Sequence, residues 1–286
     1  MRAMGVRRRS MLYLPGSSQR MMAGAGTRGA DVLVLDLEDG VHPDMKATAR
    51  EQVRGALDRY DWGGAEVFIR ANAVETPWGA SDVAMIAEVH AQGALLPKCE
   101  DAKSVADVAR RLGSGIPLFL MVETVEGILE AGALACAPNV AGLVFGAADY
   151  RESLRAGRLP DESELLFARM QILHAARAAG IEAFDTPWFE YKDIDGLEIS
   201  ANRARQLGFD GKTAIHPSQV PVIHRAFSPT PEEVARARRI IEVMEKASAE
   251  GKNVATLDDE MVEALHLNEA RRVLSRCEEP SPDRPD

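Results

Sequence analysis

LFLMVETVEG, residues 118–127, and VAGLVFGAADY, residues 140–150, decide how this chain folds. Each opens with an apolar run of strand length in which no polar residue alternates. Such a run predicts a strand buried on both faces, as in a parallel sheet. Each run then gives way to a carboxylate, Glu123 directly after the first and Asp149 shortly past the second. Parallel α/β folds gather their chemistry at the carboxyl ends of their strands. Two acids converging there suit a hard cation, because Mg²⁺ takes one or two carboxylates and completes its shell with water and substrate oxygens. Either acid alone reads equally well as a cap for the helix that follows. The pair, in matching positions, points to a metal site.

Six further segments repeat the strand pattern: 11–14, 31–37, 66–72, 93–98, 181–185 and 211–217. Helical segments fall between the strands at 19–29, 43–60, 79–91, 101–112, 124–136, 161–179 and 193–207, with others near 217–227, 231–250 and 260–276. Eight strands alternating with helices predict an α/β fold, the (β/α)8 TIM barrel, over residues 1–228. A C-terminal helical extension follows over 229–277, and the Pro- and charge-rich residues 278–286 read as a disordered tail. The barrel requires functional side chains at several strand ends, and the sequence offers Asp36, Glu38 and Asp39, Arg70, Lys98, Glu123, Asp149, Asp185 and His216. The three carboxylates at 36–39 need a positive partner, since they would otherwise repel one another. His216 before Pro217, and His42 before Pro43, read as turn histidines rather than catalytic bases.

An open doubly wound sheet is the rival fold. Its signature would be GAGTRG at 24–29, which matches the G-x-G-x-x-G spacing. That motif needs a strand before it and a helix opening at it. Here the order is reversed, which argues against dinucleotide binding.

The formal charge of −10 excludes the basic face a nucleic-acid binder needs. No apolar run approaches membrane-spanning length, and the run after Arg7, Arg8 and Arg9 is too short for a signal segment. Three scattered cysteines form neither a disulfide framework nor a zinc site. A cytoplasmic protein is expected.

SMLYLPGS (10–17), LDLEDGV (35–41), IRAN (69–72) with TPWG (76–79), and LPK (96–98) resemble the citrate lyase β-subunit-like group of the HpcH/HpaI aldolase superfamily. So do VETVEG (122–127), FGAADY (145–150) and GFDGKTAIHPSQV (208–220). That superfamily includes malyl-CoA, citramalyl-CoA and citryl-thioester lyases, and the likeness runs from about residue 8 to 276. It implies Mg²⁺ as cofactor, with Glu123 and Asp149 as its ligands. Asp36, Glu38 and Asp39 match acids around the metal's water shell, Arg70 matches an arginine that contacts the thioester carbonyl, and Lys98 stands close to those acids. Pro15 and Gly16 are expected to bind substrate, and the Ser17/Ser18 turn with Arg20 reads equally as the place where the group holds CoA phosphates and as a surface cap. Glu263, in DEMVE (259–263), stands where many members carry an Asp that reaches a neighbouring subunit's site; it keeps the carboxylate one methylene further out and is a candidate catalytic base. DTPWF at 185–189 departs from the commoner Asp-Gly-Val.

The expected reaction is Mg²⁺-dependent cleavage, or formation, of a short 3-hydroxy-dicarboxylyl-CoA thioester to give acetyl-CoA and a 2-oxo acid. Alternatives are a citrate lyase β-subunit working on an acyl-carrier-protein thioester, a related thioester hydrolase or synthase, and a non-catalytic metal-binding homologue. The expected partners are the CoA thioester and oxo acid, in a homo-oligomer, trimer or hexamer, with neither nucleic acid nor membrane.

Overall fold

Strands buried on both faces close on themselves when helices cover the outside. The computed structural model, which describes residues 7–89 and 91–277, has this arrangement. The tail expected to be disordered, 278–286, lies outside the described residues. Strands β1 (Ser10–Pro15), β2 (Val32–Asp36), β3 (Glu66–Arg70), β4 (Gly93–Leu96), β5 (Leu118–Val122), β6 (Val140–Phe145), β7 (Glu182–Asp185) and β8 (Gly211–Ala214) form a closed barrel. Every neighbouring pair is parallel, including β8 with β1. The accompanying helices are α1 (Gln19–Ala23), α2 (Lys46–Arg59), α3 (Gly79–Val89), α4 (Ala102–Leu112), α5 (Val125–Leu129), α6 (Ala131–Ala135), α7 (Ala147–Leu154), α8 (Leu166–Ala179), α9 (Ile194–Leu207) and α10 (Val220–Phe227).

Side-chain alternation sorts each strand into two buried faces. Val32, Val34, Phe68, Phe119, Met121, Val144 and Phe184 pack together inside the barrel. Leu33, Leu35, Leu118 and Leu120, on the other parity, are equally inaccessible. A register slip would exchange the two sets, which fill differently shaped spaces, so the pattern pins the register. Continuing the inner parity by one step leads to Asp36 after Val34, Arg70 after Phe68 and Glu123 after Met121. Three charged residues thereby reach the carboxyl mouth on the interior face.

The opposite end is plugged by Arg8. Its guanidinium bonds Glu66 of β3 at 2.8 Å and Glu182 of β7 at 2.7 Å, and lies over the rings of Phe68 and Phe119. An ion pair bridging the floor in this way leaves the mouth as the open end.

The residues divide into two compact units, Arg8–His224 and a second that begins at Arg225. In the second, α11 (Pro231–Ala249) and α12 (Ala264–Ser275) enclose a small core of Ala237, Ile240, Met244, Leu257, Val262 and Ala270. Two short strands, β9 (Ala255–Leu257) and β10 (Glu260–Val262), pair antiparallel between them. The helix expected from residue 260 therefore starts only at 264. Asp258 and Asp259 turn the hairpin with φ of 52° and 65°, a conformation Asp tolerates better than most residues.

Three other differences concern helices. The segment 124–136 is split at Glu130 into α5 and α6. The segment 19–29 is a short α1 followed by a 3-10 turn at Ala25–Arg28. Helix α7 was not expected. The glycine-rich stretch does precede a strand, as read, and Gly26 serves packing: a Cβ there would lie 2.4 Å from the Asp61 carbonyl.

Candidate active site

The register places Pro15 beside Asp36 and Asp36 beside Arg70 across three consecutive strands. Arg70 Nε and Nη2 each donate to an Asp36 oxygen at 2.7 Å. The same carboxylate accepts the backbone N–H groups of Glu38 and Gly40 at 2.8 Å. Asp36 is thus saturated by four donors. Arg70 is the positive group that the acid cluster required, and its charge is secured by Asp36. Its third nitrogen, Nη1, lies 2.8 Å from Glu38 Oε2 but without hydrogen-bonding geometry, so that buried oxygen has no hydrogen-bond partner. The ring of Tyr13 covers the guanidinium at 4.9 Å.

Lys46, at the start of α2, supports the acidic turn from behind. Its ammonium donates to the carbonyls of Leu37 and Glu38 at 2.8 and 2.7 Å and faces the Trp78 ring. Sequence reasoning passed over it, because it acts on backbone carbonyls and not on the carboxylates that drew attention.

Glu123 is 2 % exposed and accepts the Lys98 backbone N–H at 2.8 Å. Its side chain lies across Gly146, where a Cβ would come within 2.4 Å of Glu123 Oε2. Asp149 does not sit at a strand end as the sequence suggested. It occupies the first turn of α7, where the helix dipole favours a carboxylate. Asp39 and Lys98 are exposed at the rim. Lys98 adopts φ of 51°, which turns its N–H toward Glu123.

These acids are crowded. Burial, reinforced by Glu123, Asp39 and Asp36 against the opposing Arg70, pushes Glu38 up to about 8. Burial and then Asp149 push Glu123 up to about 7. Asp149 is raised by burial and by Asp39. Burial works to lower the Lys98 ammonium, but Glu38, Asp39, Asp149 and Glu123 outweigh it and hold it above its ordinary value. A site with more buried negative charge than its cations neutralise suits one further cation. Among the described residues no group of three or more His, Cys, Asp or Glu is arranged to hold a metal by itself. Two acids, with water and substrate oxygens completing the shell, is the donor set that suits Mg²⁺ and not zinc.

A cavity of about 370 Å³ opens at this mouth, with Tyr13, Pro15, Asp36, Arg70, Glu123 and Asp149 in its wall together with Thr186, Phe189, Thr213 and Ile215. The size suits a small substrate. Tyr13, Gly146, Thr186 and Thr213 were missed as site residues. The inner parity of their strands, continued by one step where needed, leads to all four.

The other expected residues hold varied places in the fold. Gly16 donates its N–H to the Asp36 carbonyl at 2.7 Å, Ser17 is half-buried, Ser18 caps α1, and Arg20 is exposed on that helix. Asp185 faces away from the cavity, because Phe184 takes the inner parity. It is fully buried against Arg169 at 2.9 Å and Lys212 at 2.6 Å, which overcome its burial and hold it down at about 2. His216 Nδ1 engages Ser218, and its ring stacks on Tyr191. His42 accepts the Asp44 N–H. Glu263 lies in the second unit, at the start of α12, with its N–H donated to His266 Nδ1 at 3.1 Å. No helix among the described residues is long and apolar enough to cross a membrane.

Comparison with known proteins gives consistent matches. Residues 9–217 match the family model for HpcH/HpaI aldolase/citrate lyase, and residues 166–279 match one for C-C bond lyase of the TIM-barrel fold. The chain is 37% identical over 270 residues to a (3S)-malyl-CoA thioesterase of Cereibacter sphaeroides, covering 94% of each. It is 38% identical over 282 residues to the citrate lyase subunit beta of Escherichia coli, covering 95% of this chain and 93% of that one. Among solved structures, CitE of Mycobacterium tuberculosis in complex with magnesium, acetoacetate and coenzyme A superposes with a TM-score of 0.81 at 31% identity, over 94% of this chain and 98% of that one.

Proposed function

This chain belongs to the HpcH/HpaI aldolase/citrate lyase family, and from that premise we propose that it is a Mg²⁺-dependent carbon–carbon lyase. Its substrate would be a short 3-hydroxy-dicarboxylyl-CoA such as malyl-CoA or citramalyl-CoA, and its products acetyl-CoA and a 2-oxo acid. The observation that carries the reading is Glu123, buried beside Asp149 on the cavity wall that also holds Arg70. Magnesium bound in the M. tuberculosis relative supports the same ion here. Glu123 and Asp149 would hold it, and when bound it supplies Lewis-acid polarisation of the substrate's hydroxyl oxygen.

The chain's own residues perform the rest. A carboxylate of the site takes the hydroxyl proton. The carbon–carbon bond then breaks, the hydroxyl carbon becomes the carbonyl of the oxo acid, and the electron pair passes to the thioester as its enolate. Arg70, aimed by Asp36 and covered by Tyr13, donates to the enolate oxygen, and return of the proton taken from the hydroxyl to the enolate carbon yields acetyl-CoA. A preorganised donor of this kind is worth about 3–4 kcal/mol in the transition state. Lys98 remains charged at the rim and meets the substrate's free carboxylate, while Asp39 orders water there. Pro15, Gly16, Ser17 and Arg20 form the approach for the CoA portion.

The likeness to a malyl-CoA thioesterase favours a second reading, hydrolysis of the thioester. Incubation with malyl-CoA and citramalyl-CoA separates the two. The lyase gives acetyl-CoA with glyoxylate or pyruvate, lost on chelation with EDTA and restored by Mg²⁺. The hydrolase gives free CoA and the hydroxy acid. Absence of acetyl-CoA from both thioesters would remove the lyase reading.

A further inference from the structure

Helix α7 begins without a side-chain cap of its own. The residue at the capping position is Gly146, where a Cβ would clash with Glu123, and it has no side-chain oxygen to offer the helix's first N–H groups. The acceptor comes from the neighbouring strand. Thr186, one residue past β7, receives the Ala147 N–H on Oγ1 at 3.1 Å. Thr186 is 2 % exposed and lines the cavity with Glu123 and Asp149.

A hydroxyl has one proton to give. Thr213, on the same wall, gives its proton to the Asp185 carbonyl at 3.1 Å. The Thr186 proton has no acceptor among the described residues. Accepting Ala147 N–H directs the oxygen toward α7 and leaves the proton for what occupies the cavity.

We propose that Thr186 is a substrate-positioning residue: it caps the turn that carries Asp149 and donates its hydroxyl proton to a carboxylate oxygen of the 2-oxo acid. This rests on the lyase reading above. A bond from a neutral hydroxyl to an ionised oxygen is among the stronger hydrogen bonds, so its loss should be measurable in affinity.

Two substitutions divide the roles. Thr186→Val keeps the shape and removes both hydrogen bonds, whereas Thr186→Ser keeps both and removes only a methyl group. The dissociation constants of glyoxylate and pyruvate, measured by calorimetry with saturating Mg²⁺, are compared with kcat, KM and melting temperature. Thr186→Val should weaken oxo-acid binding about 10-fold or more, with a smaller effect on melting temperature than on affinity. Thr186→Ser should restore binding and kcat/KM to within about threefold of wild type. Wild-type oxo-acid affinity in Thr186→Val, or no recovery in Thr186→Ser, overturns the proposal. Failure of the lyase reading looks different: the wild-type protein itself then releases no acetyl-CoA.

Discussion

Asp36 and Arg70 face each other in the register of β2 and β3, with both carboxylate oxygens bonded to the guanidinium at 2.7 Å. With two backbone N–H groups on the same oxygens, Asp36 has nothing left to offer a substrate. Its two bonds fix the orientation of Arg70. A planar fork held at two points is something an ammonium cannot reproduce.

Arg70→Lys should therefore lower kcat about 10²–10³-fold, the usual effect of losing one oriented donor to a developing oxyanion. Mg²⁺ activation should change little. Steady-state kinetics on the cleaved thioester gives the answer, and wild-type kcat would remove the enolate role from Arg70.

Gly146 has an ordinary φ of −105°, so alanine there meets no backbone strain. Its methyl group would instead occupy the space of the Glu123 carboxylate. Gly146→Ala should raise the Mg²⁺ concentration for half-maximal activity about 10–100-fold, as displaced metal-site supports do. Unchanged Mg²⁺ dependence would mean that Glu123 does not need that space.

The strands were legible because burial on both faces leaves an unbroken apolar run, and the acids that end those runs marked the mouth. The same property hid the direction of each side chain. With Phe184 and Ala183 both apolar, nothing in the run showed that Asp185 would turn outward to Lys212; only the register reveals that pairing. Asp149 was legible as an acid but not as a helical one, since α7 follows its strand with a single intervening glycine. The β9–β10 hairpin was missed because Asp258 and Asp259 stand where a stronger turn signal would be Asn-Gly.

Asp185 makes stability depend on acid. Its folded pKa of about 2 lies below the ordinary 3.8, so the stabilisation is fully present above the unfolded value and is lost as pH falls through the folded one. Urea denaturation of wild type and Asp185→Asn should show a gap of about 3–5 kcal/mol near pH 7, because Arg169 and Lys212 lose a buried partner. That gap should narrow between pH 4 and pH 2. A gap constant over that range would contradict the ion-pair account.

Glu263 belongs to the second unit, and a role in a neighbouring chain's site can be tested by complementation. Glu263→Ala and Arg70→Ala should each be nearly inactive. If Glu263 serves another subunit, refolding the two together should restore a measurable fraction of activity through mixed oligomers. No recovery, with mixed oligomers present by native mass spectrometry, would restrict Glu263 to its own chain or to helix capping.

The metal pair is the centre of the account, and the most direct measurement is a crystal structure with Mg²⁺ and pyruvate. One octahedral ion is expected, bound by an oxygen of Glu123 and an oxygen of Asp149, with pyruvate and water oxygens completing its shell. An ion bound elsewhere, or pyruvate seated with those two carboxylates turned from each other, would contradict it.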